Sequence, residues 1–208
     1  YTGEDTLSLH DALPIYQILT PETVFISKFD KELPDIQFPC VIKKPDSAFS
    51  HGVAKLDDQK ELQKSLTQFF KTSDLILIQP FIPTEYDWRI GVLDNKPLFA
   101  CRYYMAKGHW QIYNWGSSEQ EVEGKHETIP LHEVPEAIIK TALKATRLIG
   151  DSLYGVDIKS HGDKHYVIEV NDNPNVDFGI EDQIMGETLY QQIMTVFLQR
   201  IRRKHGYV

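Results

Sequence analysis

The chain has 208 residues, of which 41% are hydrophobic and 25% are charged, and its formal net charge is -8. This composition is typical of a globular protein that can bury a core. The negative charge argues against a nucleic-acid-binding surface, and no apolar run reaches the roughly 18 residues that a membrane span requires. We therefore expect a cytoplasmic protein without nucleic-acid or membrane partners.

The first residues stand apart from the rest of the sequence. Residues 6–15, TLSLHDALPI, match the translation of a common short-read sequencing adapter along their whole length. We expect residues 1–15 to be an artefact joined to a truncated gene, with native sequence beginning near Tyr16 and a preceding part missing. Fold predictions therefore start at Tyr16.

From Tyr16 onward the pattern predicts a mixture of strands and helices. Short β-branched runs bounded by turn residues predict strands at 23–28, 40–44, 75–81, 88–93, 97–104, 154–160 and 165–170. Helical spacing of apolar residues predicts helices within 57–71, 134–150 and 186–203. We expect an α+β protein with a small lobe at 16–78 and a larger lobe at 79–208.

The two longer helices have predicted apolar faces, formed by Ile138, Ala142, Ala145 and Ile149 in one and by Leu189, Ile193, Val196, Phe197 and Ile201 in the other. The basic cluster Arg200, Arg202, Arg203 and Lys204 is expected to be the solvated end of the second. Two cysteines, Cys40 and Cys101, lie in apolar runs. We expect both to be buried free thiols rather than a disulfide or a metal pair.

Oxygen-bearing side chains follow one another on two consecutive predicted strands. Asp157 lies in YGVDIKS, and Glu169 and Asn171 lie in VIEVN. In an antiparallel hairpin, a two-residue loop at Gly162-Asp163 would turn Asp157 and Glu169 to opposite faces, whereas a three-residue loop or a bulge would bring them together. Together they suit a hard cation such as Mg²⁺, and apart they are a polar rim on a solvated hairpin.

The segment CVIKKPDSAFSHGVAK carries two lysines from a strand into a polar loop. Its hydroxyl and backbone donors, with Ser47, Ser50 and Gly52, could cover phosphate oxygens while a lysine supplies a charge. A plain surface loop is the alternative. Because neighbours on a strand face opposite sides, only one of Lys43 and Lys44 can serve.

A third segment, residues 79–115, combines charged and aromatic residues. Asp87 and Arg89 stand at the entry of a predicted strand, and Arg102, Lys107 and Asn114 lie on the next strand and its exit. The planar fork of arginine suits phosphate or carboxylate. The aromatic residues among them are expected to belong mostly to the core.

Taken in order, the strand lysine with its loop, QPF, D-x-R, VD and E-x-N-x-x-P resemble the ATP-grasp superfamily. Within it, the chain is most similar to the RimK-like glutamate ligases, from about Leu19 to Arg203. The resemblance implies an ATP-grasp fold, in which two α+β lobes clasp the nucleotide. It also implies ATP as cosubstrate and Mg²⁺ or Mn²⁺ as the metal.

The resemblance also assigns roles to individual residues. It implies nucleotide contacts by Lys43, Pro80, Phe81, Asp87 and Asn114, phosphate-facing catalytic arginines at Arg89 and Arg102, and metal ligands at Asp157, Glu169 and Asn171. Two features depart from the family pattern. The loop after Lys43 has fewer glycines, and Gln111 stands where RimK-like enzymes often carry an arginine.

The implied function is a carboxylate–amine ligase. In such an enzyme ATP phosphorylates a small-molecule or peptide carboxylate, and an amino-acid amine attacks the acylphosphate to give an amide. The alternative is an ATP-binding module with regulatory or lost ligase chemistry. Acceptor-dependent ATP turnover would distinguish the two.

Overall fold

The computed structural model describes residues 16–45, 52–114 and 123–207. The strands are β1 Val24–Ser27, β2 Cys40–Lys43, β3 Val53–Leu56, β4 Leu75–Pro80, β5 Tyr86–Leu93, β6 Lys96–Tyr104, β7 His126–Thr128, β8 Leu153–His161 and β9 Lys164–Asn171. The helices are α1 Gln59–Phe69, α2 Glu136–Arg147 and α3 Glu187–His205. The predicted α+β class is confirmed. The expected artefact at 1–15 lies outside the described residues.

The chain divides into two compact units. One is Thr20–Pro83, and the other combines residues 16–19 with residues 84–207. The lobe boundary expected after Ile78 falls inside β4 instead. Because β4 is hydrogen-bonded to both β1 and β2, the whole of this strand belongs to the Thr20–Pro83 unit.

The Thr20–Pro83 unit is an antiparallel sheet with strand order β1-β4-β2-β3 and one helix, α1. The helix begins where the Asp58 side chain accepts the backbone N–H of Glu61 at 2.8 Å, which satisfies one of the free donors of its first turn. Leu62 and Leu66 are buried against the sheet. Alternate residues of β2 and β4, such as Ile42, face this helix.

The other unit has a five-stranded antiparallel sheet of order β7-β6-β5-β8-β9. Alternation along the strands gives it two apolar faces. One face packs on α2 and includes Trp88, Ile90, Ala100, Val156, Ile158, Ile138 and Ala142. The other packs on α3 and includes Leu98, Phe99, Cys101, Tyr103 and Leu189. Among the described residues, no helix is long and apolar enough to cross a membrane.

The sequence patterns did not predict two short strands, and they predicted buried apolar faces on α2 and α3 that are longer than the structure shows. The missed strands are β3 and β7. Ile149 lies beyond the end of α2 and is 43% exposed, and Ile201 lies in α3 but is 55% exposed. Both residues continue the apolar spacing of their helix beyond the part of the helix that packs on the sheet. The spacing alone does not show where this packing stops.

The expectation for the cysteines is confirmed, since Cys40 and Cys101 are free and buried. The solvated basic end of α3 is confirmed for Arg202, Arg203 and Lys204, which form the last turn, where cations interact favourably with the helix dipole. For Arg200 it is wrong, because this side chain forms ion pairs with Asp94 at 2.8 Å and Asp151 at 3.1 Å. The helix ends at Gly206, whose φ of 70° lies in the left-handed region that favours glycine.

The core on the α2 face should be much more sensitive to truncation than the outer face of α3. Ile90 is fully buried, so Ile90→Ala is expected to lower the free energy of unfolding by about 2–5 kcal/mol. The matched control Ile201→Ala, at an exposed position, should change it by less than about 0.5 kcal/mol. Urea unfolding followed by circular dichroism measures both. Equal losses would contradict the assigned core.

Candidate functional site

The β8–β9 hairpin places the predicted metal ligands on one face. It has the two-residue turn Gly162-Asp163, which by itself would separate Asp157 from Glu169. A bulge corrects this, because the pairing jumps from Ile158–Val167 to Asp157–Glu169. The two carboxylates therefore face the same side of the sheet, as residues opposite one another do. Of the routes left open by the sequence, the structure uses the bulge.

A salt bridge joins this hairpin to the neighbouring strand β5. Arg89 pairs with Asp157 across the two strands and donates through Nε and Nη2 to both carboxylate oxygens, with Nη2 at 2.8 Å from Oδ2. The two side chains are about four-fifths buried. Asn171 approaches the same carboxylate, with Nδ2 at 3.5 Å from Oδ2. Arg89, Asp157 and Asn171 thus form one polar cluster.

The absence of a side chain at Gly155 makes room for this cluster. A Cβ atom at this position would lie 2.7 Å from Pro174 Cβ and 3.2 Å from Arg89 Cδ. Contacts this short would push the arginine or the proline away. Gly155 also stands opposite Asn171 in the hairpin. The close approach of Arg89 to β8 therefore depends on this glycine.

A second ion pair lies next to the first, with the charges reversed. Lys159 Nζ donates to Asp87 Oδ1 at 2.6 Å and to Thr84 Oγ1 at 2.8 Å, while Thr84 Oγ1 donates to Asp87 Oδ1 at 3.0 Å. Sequence reasoning predicted Asp87 but missed Lys159. The signal was present: D-x-R on β5 faces D-x-K on β8 in the opposite direction, so each carboxylate meets a cation.

Burial and ion pairing shift the pKa values of Arg89 and Asp87 in opposite directions. Burial disfavours the charged guanidinium of Arg89, but the charge of Asp157 and its hydrogen bonds outweigh this and raise the pKa of Arg89. Burial raises the pKa of Asp87, and the charge and hydrogen bond of Lys159 oppose that rise. For Asp87 the effect of burial is the larger of the two, so its pKa stays above the ordinary value. In both pairs a cation lies against a largely buried carboxylate.

Aromatic hydroxyls border the cluster. The Tyr103 ring centre lies 5.7 Å from Arg89 Cζ, and its hydroxyl donates to Glu181. Burial raises the pKa of Tyr103, and Glu181 adds to the rise. Burial, with the charge and hydrogen bond of Glu123, raises the pKa of Tyr113 to about 12. Both phenols are therefore neutral hydrogen-bonding groups at neutral pH.

The loop that follows Asn171 is anchored by a buried carboxylate. Glu181 is 1% exposed and accepts hydrogen bonds from the Tyr103 hydroxyl and, at 2.7 Å, from the Asp177 backbone N–H. Thr128 adds a second anchor by donating to the Ile180 carbonyl oxygen. The loop is thus fixed over the face that carries Arg89.

Arg102 does not join this cluster, contrary to the expectation that it faces phosphates together with Arg89. It stands opposite Trp88 in the β5–β6 pair, whereas Arg89 stands opposite Cys101, so the two arginines lie on opposite faces of the sheet. Arg102 Cζ is 4.8 Å from the Trp88 ring centre, and its Nη1 is 3.4 Å from Glu127 Oε2. This is a cation–π contact with an ion pair.

In the other unit the two lysines of β2 are separated as expected. Lys44 Nζ donates to Thr72 Oγ1 at 2.6 Å and lies 5.6 Å from the Phe69 ring centre, next to the end of α1. Lys43 stands between Val53 and Leu77 in the sheet. Its side chain points to the face opposite α1, because alternate residues of β2 face this helix.

The remaining predicted residues lie at strand ends. Pro80 pairs with Cys40, and the Phe81 backbone N–H donates to the Pro39 carbonyl oxygen at 3.0 Å. Asn114 directly follows Tyr113, which forms an isolated bridge with Glu123. Ser47 and Ser50 lie outside the described residues. Gly52 is described, and its carbonyl oxygen accepts the Lys44 backbone N–H at 3.0 Å.

The oxygen donors of the hairpin suit a hard divalent cation. Asp157 and Glu169 supply carboxylates and Asn171 an amide oxygen, which are the ligand types that Mg²⁺ takes from proteins. Across 16–45, 52–114 and 123–207, no group of three or more histidine, cysteine, aspartate or glutamate side chains could hold a metal ion. A cation bound here would need further oxygens, from water or phosphate.

Comparison with known proteins decides the family. The model of the RimK-like ATP-grasp domain matches residues 12–195. The chain belongs to this family. A relative from Shewanella loihica, named "Probable alpha-L-glutamate ligase", is 30% identical over 167 residues, which is 77% of this chain and 52% of the relative. The chain therefore spans about half the length of the curated relatives it matches.

Solved structures confirm the ATP-grasp fold. D-alanine–D-alanine ligase from Bacillus anthracis is similar with a TM-score of 0.73 and 21% identity, over 95% of this chain and 67% of that one. The same enzyme complexed with ATP is similar with a TM-score of 0.69 and 20% identity, over 94% and 64%.

The Arg89–Asp157 pair should contribute strongly to stability. Arg89→Met leaves a largely buried carboxylate without its cation, and we expect the free energy of unfolding to fall by about 2–4 kcal/mol. The matched control Lys140→Met breaks the exposed pair with Glu136 and should cost at most about 0.5 kcal/mol. Denaturant unfolding measures both. A loss at Arg89 as small as that of the control would show that Asp157 does not depend on this partner.

Proposed function

We propose that the protein is an ATP-dependent carboxylate–amine ligase. The observation that carries this proposal is the convergence of Asp157, Glu169 and Asn171 on one face beside Arg89, in a chain of the RimK-like ATP-grasp family. Oxygen ligands and an arginine in one cluster are what the transfer of a phosphoryl group between bound substrates requires.

In the proposed site, Asp157, Glu169 and Asn171 would hold a Mg²⁺ ion. When bound, the metal would neutralise negative charge on the phosphates. Arg89 fixes the Asp157 carboxylate through two parallel hydrogen bonds, so the ligand is oriented before the cation arrives. Its guanidinium also places a positive charge beside the transferring group.

The same proposal assigns nucleotide contacts. Lys43 reaches the phosphates, Pro80 and Phe81 contact the adenine, Asp87 accepts from the ribose and Asn114 lies on the nucleotide side. Family membership and the orientation of Lys43 away from α1 support these assignments. Arg102 is not included, because it lies on the other face of its sheet.

The chemistry proceeds in two steps. A carboxylate oxygen of one substrate attacks the γ-phosphorus of ATP, giving an acylphosphate and ADP. The amine of the second substrate then attacks the acyl carbon, forming the amide and releasing phosphate. The residues of this chain contribute positioning and electrostatics to both steps. Glutamate or another amino acid is the proposed amine substrate, in line with the name of the relative at 30% identity.

Acceptor-dependent turnover tests the proposal. The chain is incubated with Mg²⁺, ATP and a panel of amino acids and short peptides, and ADP and phosphate are measured with and without each candidate pair. Turnover should require both a carboxylate and an amine. Glu169→Gln should lower it by about a hundredfold or more, since it removes one preorganised charge. Glu136→Gln, on the exposed start of α2, is the matched control and should not change it.

ATP binding without acceptor-dependent turnover across the panel would contradict the ligase proposal. It would favour the alternative, a nucleotide-binding module without ligase chemistry.

Lys43 and Lys44 provide a test of the nucleotide site that does not require turnover. Lys43→Met should weaken the binding of a non-hydrolysable ATP analogue roughly tenfold, because one charge-assisted phosphate contact is lost. Lys44→Met should leave the affinity within about twofold, since this lysine packs on Phe69 and Thr72 instead. Isothermal titration calorimetry measures both constants. The reverse ranking would show that β2 presents the other lysine to the nucleotide.

A further inference from the structure

The described hydrogen bonds to the Asp87 side chain all reach the same one of its two carboxylate oxygens. Lys159 Nζ and Thr84 Oγ1 both donate to the same atom, Asp87 Oδ1, at 2.6 and 3.0 Å. Within the described part of the chain, no hydrogen bond reaches Oδ2. The side chain is only 15% exposed. One carboxylate oxygen is therefore fixed by the protein, and the other is left to accept hydrogen bonds from a ligand.

We propose that Lys159 is a positioning residue for ribose recognition, which holds the Asp87 carboxylate through Oδ1 so that Oδ2 accepts from the vicinal hydroxyls of the nucleotide. The proposal rests on the proposed function, because it uses Asp87 as the ribose acceptor. It adds a residue that neither the sequence motifs nor the family resemblance assigned.

The charge of Lys159 explains why such a lysine is needed. A carboxylate this deeply buried tends to take up a proton unless a cation is held against it. A protonated carboxyl would lose its strong acceptor character, and a hydrogen bond to a charged acceptor is roughly twice as strong as one between neutral groups. Lys159, with its side chain 16% exposed, is the cation held against Asp87.

The geometry also fixes the direction of the carboxylate. Lys159 donates to Thr84 Oγ1 at 2.8 Å as well as to Asp87, so the three side chains form a closed triangle of hydrogen bonds. Two of the three N–H donors of the ammonium are used in this way. Lys159 lies two residues from Asp157 on β8 and on the same face, so one strand would supply a metal ligand and the support for the ribose acceptor.

The test compares two nucleotides that differ only in the ribose hydroxyls. Binding of ATP and of 2′,3′-dideoxy-ATP to the 208-residue chain is measured by calorimetry with Mg²⁺ present. The wild type should bind ATP roughly tenfold or more tightly than the dideoxy compound, the range for hydrogen bonds to a charged group. Lys159→Met should abolish this preference and leave dideoxy-ATP affinity unchanged. Lys159→Arg should retain the preference, and so should the control Lys140→Met.

Lys159→Met leaves a buried carboxylate unpaired, so a neutral background guards against unfolding. Asp87→Asn should itself show a weaker preference for ATP, because its amide oxygen is a neutral acceptor, and adding Lys159→Met to it should change ATP affinity by less than about twofold, because the lysine then has no charge to support.

Four results would overturn the proposal. An equal loss for both nucleotides in Lys159→Met would mean that the lysine contacts the phosphates or serves only stability. A retained preference for ATP in that variant, or a further loss of ATP affinity on adding Lys159→Met to Asp87→Asn, would show that the lysine does not act through Asp87. Failure of the wild type to bind ATP would overturn the proposed function itself, and this inference with it.

Discussion

The antiparallel pairing of β5 with β8 is the constraint on which the polar face of the larger sheet depends. Because the strands run in opposite directions, D-x-R on β5 and D-x-K on β8 bring Arg89 next to Asp157 and Asp87 next to Lys159. Each carboxylate is therefore paired with a cation. A slip by one residue would put Trp88 and Ile158 on opposite faces of the sheet, so that one of them would leave the core they share. A slip by two residues would preserve the core but oppose like charges. Hydrophobic alternation and charge order together therefore leave a single register.

This pairing also explains what the sequence could and could not predict. The long strands and the helices were predictable, because each shows several repeats of its period. Strands β3 (VAKL) and β7 (HET) contain few β-branched or aromatic residues, so they lack the apolar runs that mark the equally short β1 (VFIS) and β2 (CVIK). Lys159 was missed for another reason. A lysine on a strand is usually a surface residue, and its significance emerges only when its partner across the sheet is known.

The candidate metal ligands illustrate a different limit. From the sequence, it depends on the turn whether Asp157 and Glu169 face the same side of the hairpin. A two-residue turn separates them, whereas a three-residue turn or a bulge brings them together. Which outcome occurs depends on a bulge, and no residue type in VIEVN marks it. Arg102 shows the converse error. Similarity to a family pattern identified a strand position with an arginine, but only the pairing with Trp88 reveals that this side chain faces away from Asp157.

The bulge has a consequence for how this hairpin can vary among related chains. While the turn keeps two residues, the facing of Asp157 and Glu169 depends on whether the residues separating them are even or odd in number after any bulge is discounted. Under that condition, gaining two residues at Gly162 lengthens the hairpin and preserves the facing of the carboxylates, whereas gaining one reverses it unless the bulge is lost at the same time. A three-residue turn would instead absorb a single added residue and keep the existing pairs. The turn and the bulge together, rather than the number of intervening residues alone, therefore decide whether this hairpin presents both carboxylates on one face.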